Sequence, residues 1–170
     1  MMTAQESAPA PRTQPRRRAV DILGLLGWLI LVFAVSFAAS RYMPGEWYAR
    51  LHKPSWTPPN WMFPVVWTLL YAAMAAAAWL VWRRDGFAGA RAALVLFLAQ
   101  LALNGVWTYL FFGRQWVGLA LVDILALLAA VIITMVLFRK HDRRAGYLLA
   151  PYIVWLAYAS TLNLGVLVLN

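Results

Sequence analysis

The chain has 170 residues, 64% of them hydrophobic and 12% charged, with no cysteine and a net charge of +9. A charged fraction about half the roughly 25% of soluble domains leaves too little polar surface to coat a water-exposed fold. The missing cysteines exclude disulfides, thiolate metal sites and cysteine nucleophiles.

Residues 1–19, rich in Pro, Ala, Gln, Thr and Arg, are expected to form a disordered basic tail. The run after Arg16-Arg17-Arg18 extends from Val20 to Ala39. It exceeds the 7–15 apolar residues of a signal-peptide core, so it is expected to be a retained first span.

Residues 40–60 form the long connection. Pro44, Pro54, Pro58 and Pro59 stiffen it and deny it backbone donors. Trp47, Tyr48 and Trp56 make it aromatic, which suits either a lid over a site or an anchor at headgroup depth. The second span is expected over 61–82, with Pro64 tolerated in its first turn. Trp67, Tyr71, Met74 and Ala78 recur at spacings of four, three and four, one helical face.

The third span is expected over 92–112, with Gln100, Asn104, Trp107 and Phe111 at the same spacing. Gly89 and Ala93, beside Ala88 and Ala92, give small-x-x-x-small spacing at its start, a pattern that lets helices approach closely. The fourth span, 116–138, carries Asp123, an intramembrane carboxylate with no basic partner in the spans. The fifth, 147–169, aligns Tyr152, Trp155, Ala159 and Leu162, with Asn163 beside them. Pro151 is expected to kink it.

Five runs of about 20 apolar residues are each long enough to cross a bilayer. The expected fold class is therefore all-α, a five-helix transmembrane bundle over 20–170. Eleven basic residues fall on the segments of one membrane face: Arg12, Arg16, Arg17, Arg18, Arg83, Arg84, Arg91, Arg139, Lys140, Arg143 and Arg144. Four fall on the other: Arg41, Arg50, Lys53 and Arg114. By the positive-inside rule the N-terminus is expected to be cytoplasmic and the C-terminus outside. The same distribution argues against a nucleic-acid partner.

Buried amides beside aromatic stripes suit a pocket for a flat, apolar ligand, the rings stacking and the amides orienting it. They equally suit interhelical hydrogen bonds. No phosphate loop, zinc-spaced histidine cluster or nucleophile–base arrangement is present. The two histidines, His52 and His141, lie in connections, which argues against a haem held by buried histidine. No metal or cofactor is expected.

The run Glu46-Trp47-Tyr48, Lys53-Pro54-Ser55-Trp56-Thr57-Pro58-Pro59, Trp61, Phe63-Pro64, Trp67-Thr68 and Leu70-Tyr71 resembles the hallmark of the translocator protein / tryptophan-rich sensory protein family. So do Gln100, Asn104, Trp107 and Phe111-Phe112, and Pro151-Tyr152-Ile153-Val154-Trp155 with Ala159, Leu162 and Asn163. The resemblance covers essentially residues 20 to 170. It implies a bundle, often homodimeric, that binds porphyrins such as protoporphyrin IX and drug-like flat ligands beneath the first loop. By motif, the ligand-binding residues would be Tyr48, Pro58, Trp67, Asn104, Trp107, Trp155 and Ala159. Light-dependent porphyrin degradation, ascribed to some members, would engage Trp67 and Trp155; the residues supply no acid–base pair for it. The family's animal sterol motif needs a Lys or Arg after a tyrosine late in the fifth span, and none follows Tyr158. Val106, Tyr109 and Arg114 meet the loose pattern elsewhere.

Overall fold

The computed structural model describes residues 14–42 and 44–170. Among them the chain is helical, without strands. In chain order the helices are α1 (Gln14–Ala39), α2 (Glu46–Arg50), α3 (Met62–Gly89), α4 (Arg91–Thr108), α5 (Val117–His141), α6 (Arg143–Leu148) and α7 (Ala150–Leu169). Five segments are long and apolar enough to cross a membrane: Arg18–Ala39, Met62–Gly89, Arg91–Gly113, Val117–His141 and Arg143–Leu169. Ile30, Phe37 and Val154 each stand 70% exposed on the outer surface. In water such a surface would drive aggregation; acyl chains cover it at no cost. The protein is an integral membrane helical bundle.

Several boundaries differ from the sequence reading. Gln14–Ala19 are helical, continuous with the first span, where a disordered tail was expected; residues 1–13 of that tail lie outside the described residues. Pro15 stands in the first turn, where a missing backbone donor has no partner to lose. The long connection is not wholly irregular, because Glu46–Arg50 wind into the short helix α2. α3 runs past Trp82 to Gly86, whose φ of +66° favours glycine, and turns there into a last short stretch. The Ala88/Ala92 and Gly89/Ala93 pairs therefore straddle the α3–α4 junction instead of lining one helix, and Ala93 is buried within the bundle.

The expected kink at Pro151 is displaced. The chain breaks at Leu149, between α6 and α7, and Pro151 falls in the first turn of α7. There its absent N–H disturbs little. Asp142 opens α6 in extended conformation and accepts the Arg144 backbone N–H at 2.7 Å, an N-cap that ends α5. α4 closes with a π turn over Tyr109–Gly113, sealed by Arg114 N–H donating to the Tyr109 carbonyl at 2.8 Å. Such turns interrupt helices preferentially at functional positions.

α4 packs chiefly on α5, α1 on α3, and α5 on α7. Phe97 of α4 stacks on Phe138 of α5 with centroids 5.7 Å apart, and Trp28 of α1 meets Phe97 edge-on at the same distance. Ala75, Ala77 and Ala78 are buried on α3, letting its neighbours approach closely. At the end of the bundle where α3 and α5 finish, His141 Nδ1 lies 2.6 Å from Asp85 Oδ2.

Candidate ligand site

The site is organised by Asn104. Its carboxamide accepts from the Tyr71 hydroxyl on α3 at 2.6 Å and donates to the Tyr152 hydroxyl on α7 at 2.8 Å. All three groups are buried. One α4 side chain therefore ties three helices and partners both buried hydroxyls.

Around this relay stand the rings. Trp67 stacks on Tyr71 at 5.3 Å and meets Tyr152 at 6.1 Å and Trp155 at 6.5 Å, both edge-on. Phe63 and Tyr158 flank Trp155 at 5.9 and 5.7 Å. These separations are those of rings in direct contact. Trp67 and Trp155 thus face each other, and a flat guest must part them to enter. Trp155 Nε1 is buried and donates to nothing among the described residues. A buried donor without a partner costs free energy, so this one stands ready for an acceptor.

A second aromatic group adjoins the first. Trp107 stacks on Phe111 at 5.2 Å, and its indole donates to Asn163 Oδ1 at 3.1 Å. Asn163 in turn donates to the Val117 carbonyl at 2.9 Å, joining α7 to α5. Tyr48 packs edge-on against Phe111 and Phe112 at 6.3 and 5.4 Å. Burial pushes the Tyr48 hydroxyl above the ordinary tyrosine range, so it remains neutral.

The 40–60 connection is fastened over this end of the bundle. His52 N–H donates to Asn170 Oδ1, and Asn170 Nδ2 returns a bond to the His52 carbonyl, each at 3.0 Å. The Tyr158 hydroxyl donates to the Trp56 carbonyl at 2.6 Å. Pro54 is buried against Gly165, where any β-carbon would overlap the proline ring. Thr57 turns the chain back by donating twice to the Pro54 carbonyl. Since Tyr158 also touches Trp155, the connection is linked directly to the ring cluster.

Of the residues singled out by sequence, Trp67, Trp155 and the buried Ala159 belong to one core cluster. Asn104 enters it through its tyrosine partners. Trp107 bridges that cluster to the one holding Tyr48. Pro58 lies half-buried in the connection, two residues beyond Trp56. The amides are interhelical ties at Asn104 and Asn163. Gln100 reaches only the Met74 sulfur, at 4.0 Å, and its Oε1 has no partner among the described residues. Asp123 is buried with Oδ2 likewise unpartnered. Sequence reasoning passed over Tyr71 and Tyr152 as site residues, although both lie on the stripes it traced. It had no signal for the contacts of Gly165 and Asn170.

Five membrane-crossing segments around a half-buried aromatic cluster, with one loop fastened across its end, define a helical integral membrane protein. A family model described as the TspO/MBR family matches residues 22–169. The tryptophan-rich protein TspO of Archaeoglobus fulgidus is 40% identical over 154 residues, covering 89% of this chain and 99% of that one. The human translocator protein is 44% identical over 132 residues, covering 75% and 78%. The tryptophan-rich sensory protein of Cereibacter sphaeroides is 41% identical over 127 residues, with the same coverage. The chain belongs to the TspO/MBR family.

Proposed function

We propose that this protein is a membrane receptor or sensor, or a transporter, for porphyrin-type tetrapyrroles, bound among Trp67, Trp107, Trp155 and their tyrosine partners beneath the 40–60 connection. The observation that carries the reading is the unspent N–H of Trp155 within a continuous aromatic cluster. A tetrapyrrole offers broad faces for the indoles and polar edge groups for that donor. The sensory name of the Cereibacter sphaeroides relative supports a signalling role.

The proposed placement is the inner membrane, N-terminus cytoplasmic, with the fastened connection on the outer side; the eleven-to-four division of basic residues supports it. Family membership supports a homodimer. Photochemical degradation of a bound porphyrin, with dioxygen as the oxidant in light, is the second reading, favoured by the Trp67–Trp155 contact, which would place two oxidisable indoles beside a photosensitiser. It would consume the indoles stoichiometrically, whereas an enzyme would turn over without losing them.

The test is a protoporphyrin IX titration of the full chain in nanodiscs, followed by tryptophan fluorescence. Saturable quenching at micromolar ligand is expected, weakened in Trp155→Phe and in Asn104→Ala. Equal affinity in both variants would remove the pocket assignment.

A further inference from the structure

The structure contains a concavity remote from the aromatic site. It lies between α1 and α3, has a volume of about 260 Å³, and opens along one side to the surroundings of the bundle. Gly24, Gly27, Trp28, Leu31, Trp82 and Phe87 line it. Its shape follows from two glycines. A β-carbon at Gly24 would overlap the Trp82 ring, so α1 rests directly on that indole. A β-carbon at Gly27 would meet nothing within 4 Å, so that position leaves open space. Trp28 is buried at the back, while Leu31 and Phe87 are exposed at the rim.

The groove is too small for a tetrapyrrole, since sites for drug-sized guests begin near ~300 Å³ and are mostly enclosed. It is apolar and largely open at the side, which fits a stretch of acyl chain. The chain directly after the lining residue Trp82 is cationic, with Arg83 and Arg84. Arg83, next to Trp82, holds its guanidinium 4.6 Å above the Trp79 ring. Trp79 donates to the Asp21 carbonyl of α1 at 2.8 Å, so Arg83 is stationed on the same α1–α3 seam. Arg83 has no ion-pair partner among the described residues. Arg84 only grazes Asp142 at 4.0 Å, and Arg18 is exposed on α1. Of the acids at this end, Asp85 is engaged by His141, and Asp21 forms no ion pair among the described residues.

We propose that this groove is a binding site for an anionic glycerophospholipid, one acyl chain lying along Gly24, Gly27 and Trp28 and the headgroup phosphate meeting Arg83. A guanidinium pre-positioned on an indole is well placed for phosphate, which it can bind through two N–H donors. Basic clusters flanking grooves between membrane helices are the general means of selecting anionic headgroups. A zwitterionic lipid would fill the same groove but would gain less from Arg83.

The experiment is native mass spectrometry of the detergent-solubilised full chain, titrated with dioleoyl phosphatidylglycerol or dioleoyl phosphatidylcholine. The wild type should retain phosphatidylglycerol preferentially. Gly27→Leu, whose β-carbon meets no neighbour within 4 Å and whose branches extend into the groove, should depress retention of both. Arg83→Gln, at an exposed position that leaves the fold intact, should weaken phosphatidylglycerol by about fivefold and leave phosphatidylcholine unchanged. Equal retention of the two lipids by the wild type would overturn the proposal, as would an Arg83→Gln profile matching the wild type. Loss of a dimer in Gly27→Leu with lipid retention intact would assign the groove to a second copy of the chain, which also overturns it.

Discussion

Two side chains separate the roles that aromatic and amide groups play inside this bundle. Asn104 spends its amide on Tyr71 and Tyr152. Its replacement by alanine strands two buried hydroxyls on different helices. Interhelical hydrogen bonds in membranes contribute modestly, so Asn104→Ala should destabilise the bundle by about 1–2 kcal/mol, read as a lower midpoint in denaturant unfolding from mixed micelles. Trp155 is the opposite case, because its ring packs while its N–H is idle. Trp155→Phe should leave stability unchanged or slightly raised, yet weaken protoporphyrin binding by roughly three- to tenfold, the worth of one hydrogen bond. A parallel fall in stability would mean that the indole is structural only.

At the scale of elements, the 40–60 connection is the part whose behaviour matters most, because the rings beneath it touch and leave a guest no room until it shifts. Its fastening depends on Gly165, where Pro54 sits, and on Tyr158 and Asn170. Gly165→Leu should force Pro54 off α7. The absence of native cysteine makes Leu51→Cys, half-buried against the Tyr48 group, a unique reporter, and its maleimide labelling should accelerate severalfold in the Gly165→Leu background. Unchanged labelling would show that the connection is held elsewhere. This element also shows where the sequence was legible and where it was not. The spans were readable because lipid demands unbroken apolar runs, and proline density marked the connection as stiff. Contacts such as Gly165 on Pro54, or Asn170 on His52, join residues more than a hundred positions apart and leave no local signature. The break at Leu149 and the π turn at Tyr109–Gly113 were hidden for a related reason. In a helix that is apolar on every face, hydrophobic periodicity carries on through a change of winding. The stripes of Trp67/Tyr71 and Tyr152/Trp155 were visible, but their meeting at Asn104 depends on how the helices are rotated against one another.

The whole molecule is a bundle whose exterior is written for lipid and whose interior joins three helices through one amide. The proposed orientation rests on the division of basic residues: a reporter fused after Asn170 should be active outside the cytoplasm, and cytoplasmic activity would reverse the topology. The central claim is that a tetrapyrrole lodges between Trp67 and Trp155 rather than on the lipid-facing surface. The chain carries ten tryptophans, which makes it its own map. Protoporphyrin IX should be added to the full chain in nanodiscs, illuminated briefly, and the oxidised tryptophans located by peptide mass spectrometry. Oxidation concentrated at Trp67 and Trp155, with Trp28 and Trp82 spared, is the predicted pattern; oxidation led by Trp28 and Trp82, or spread evenly over all ten, would contradict it.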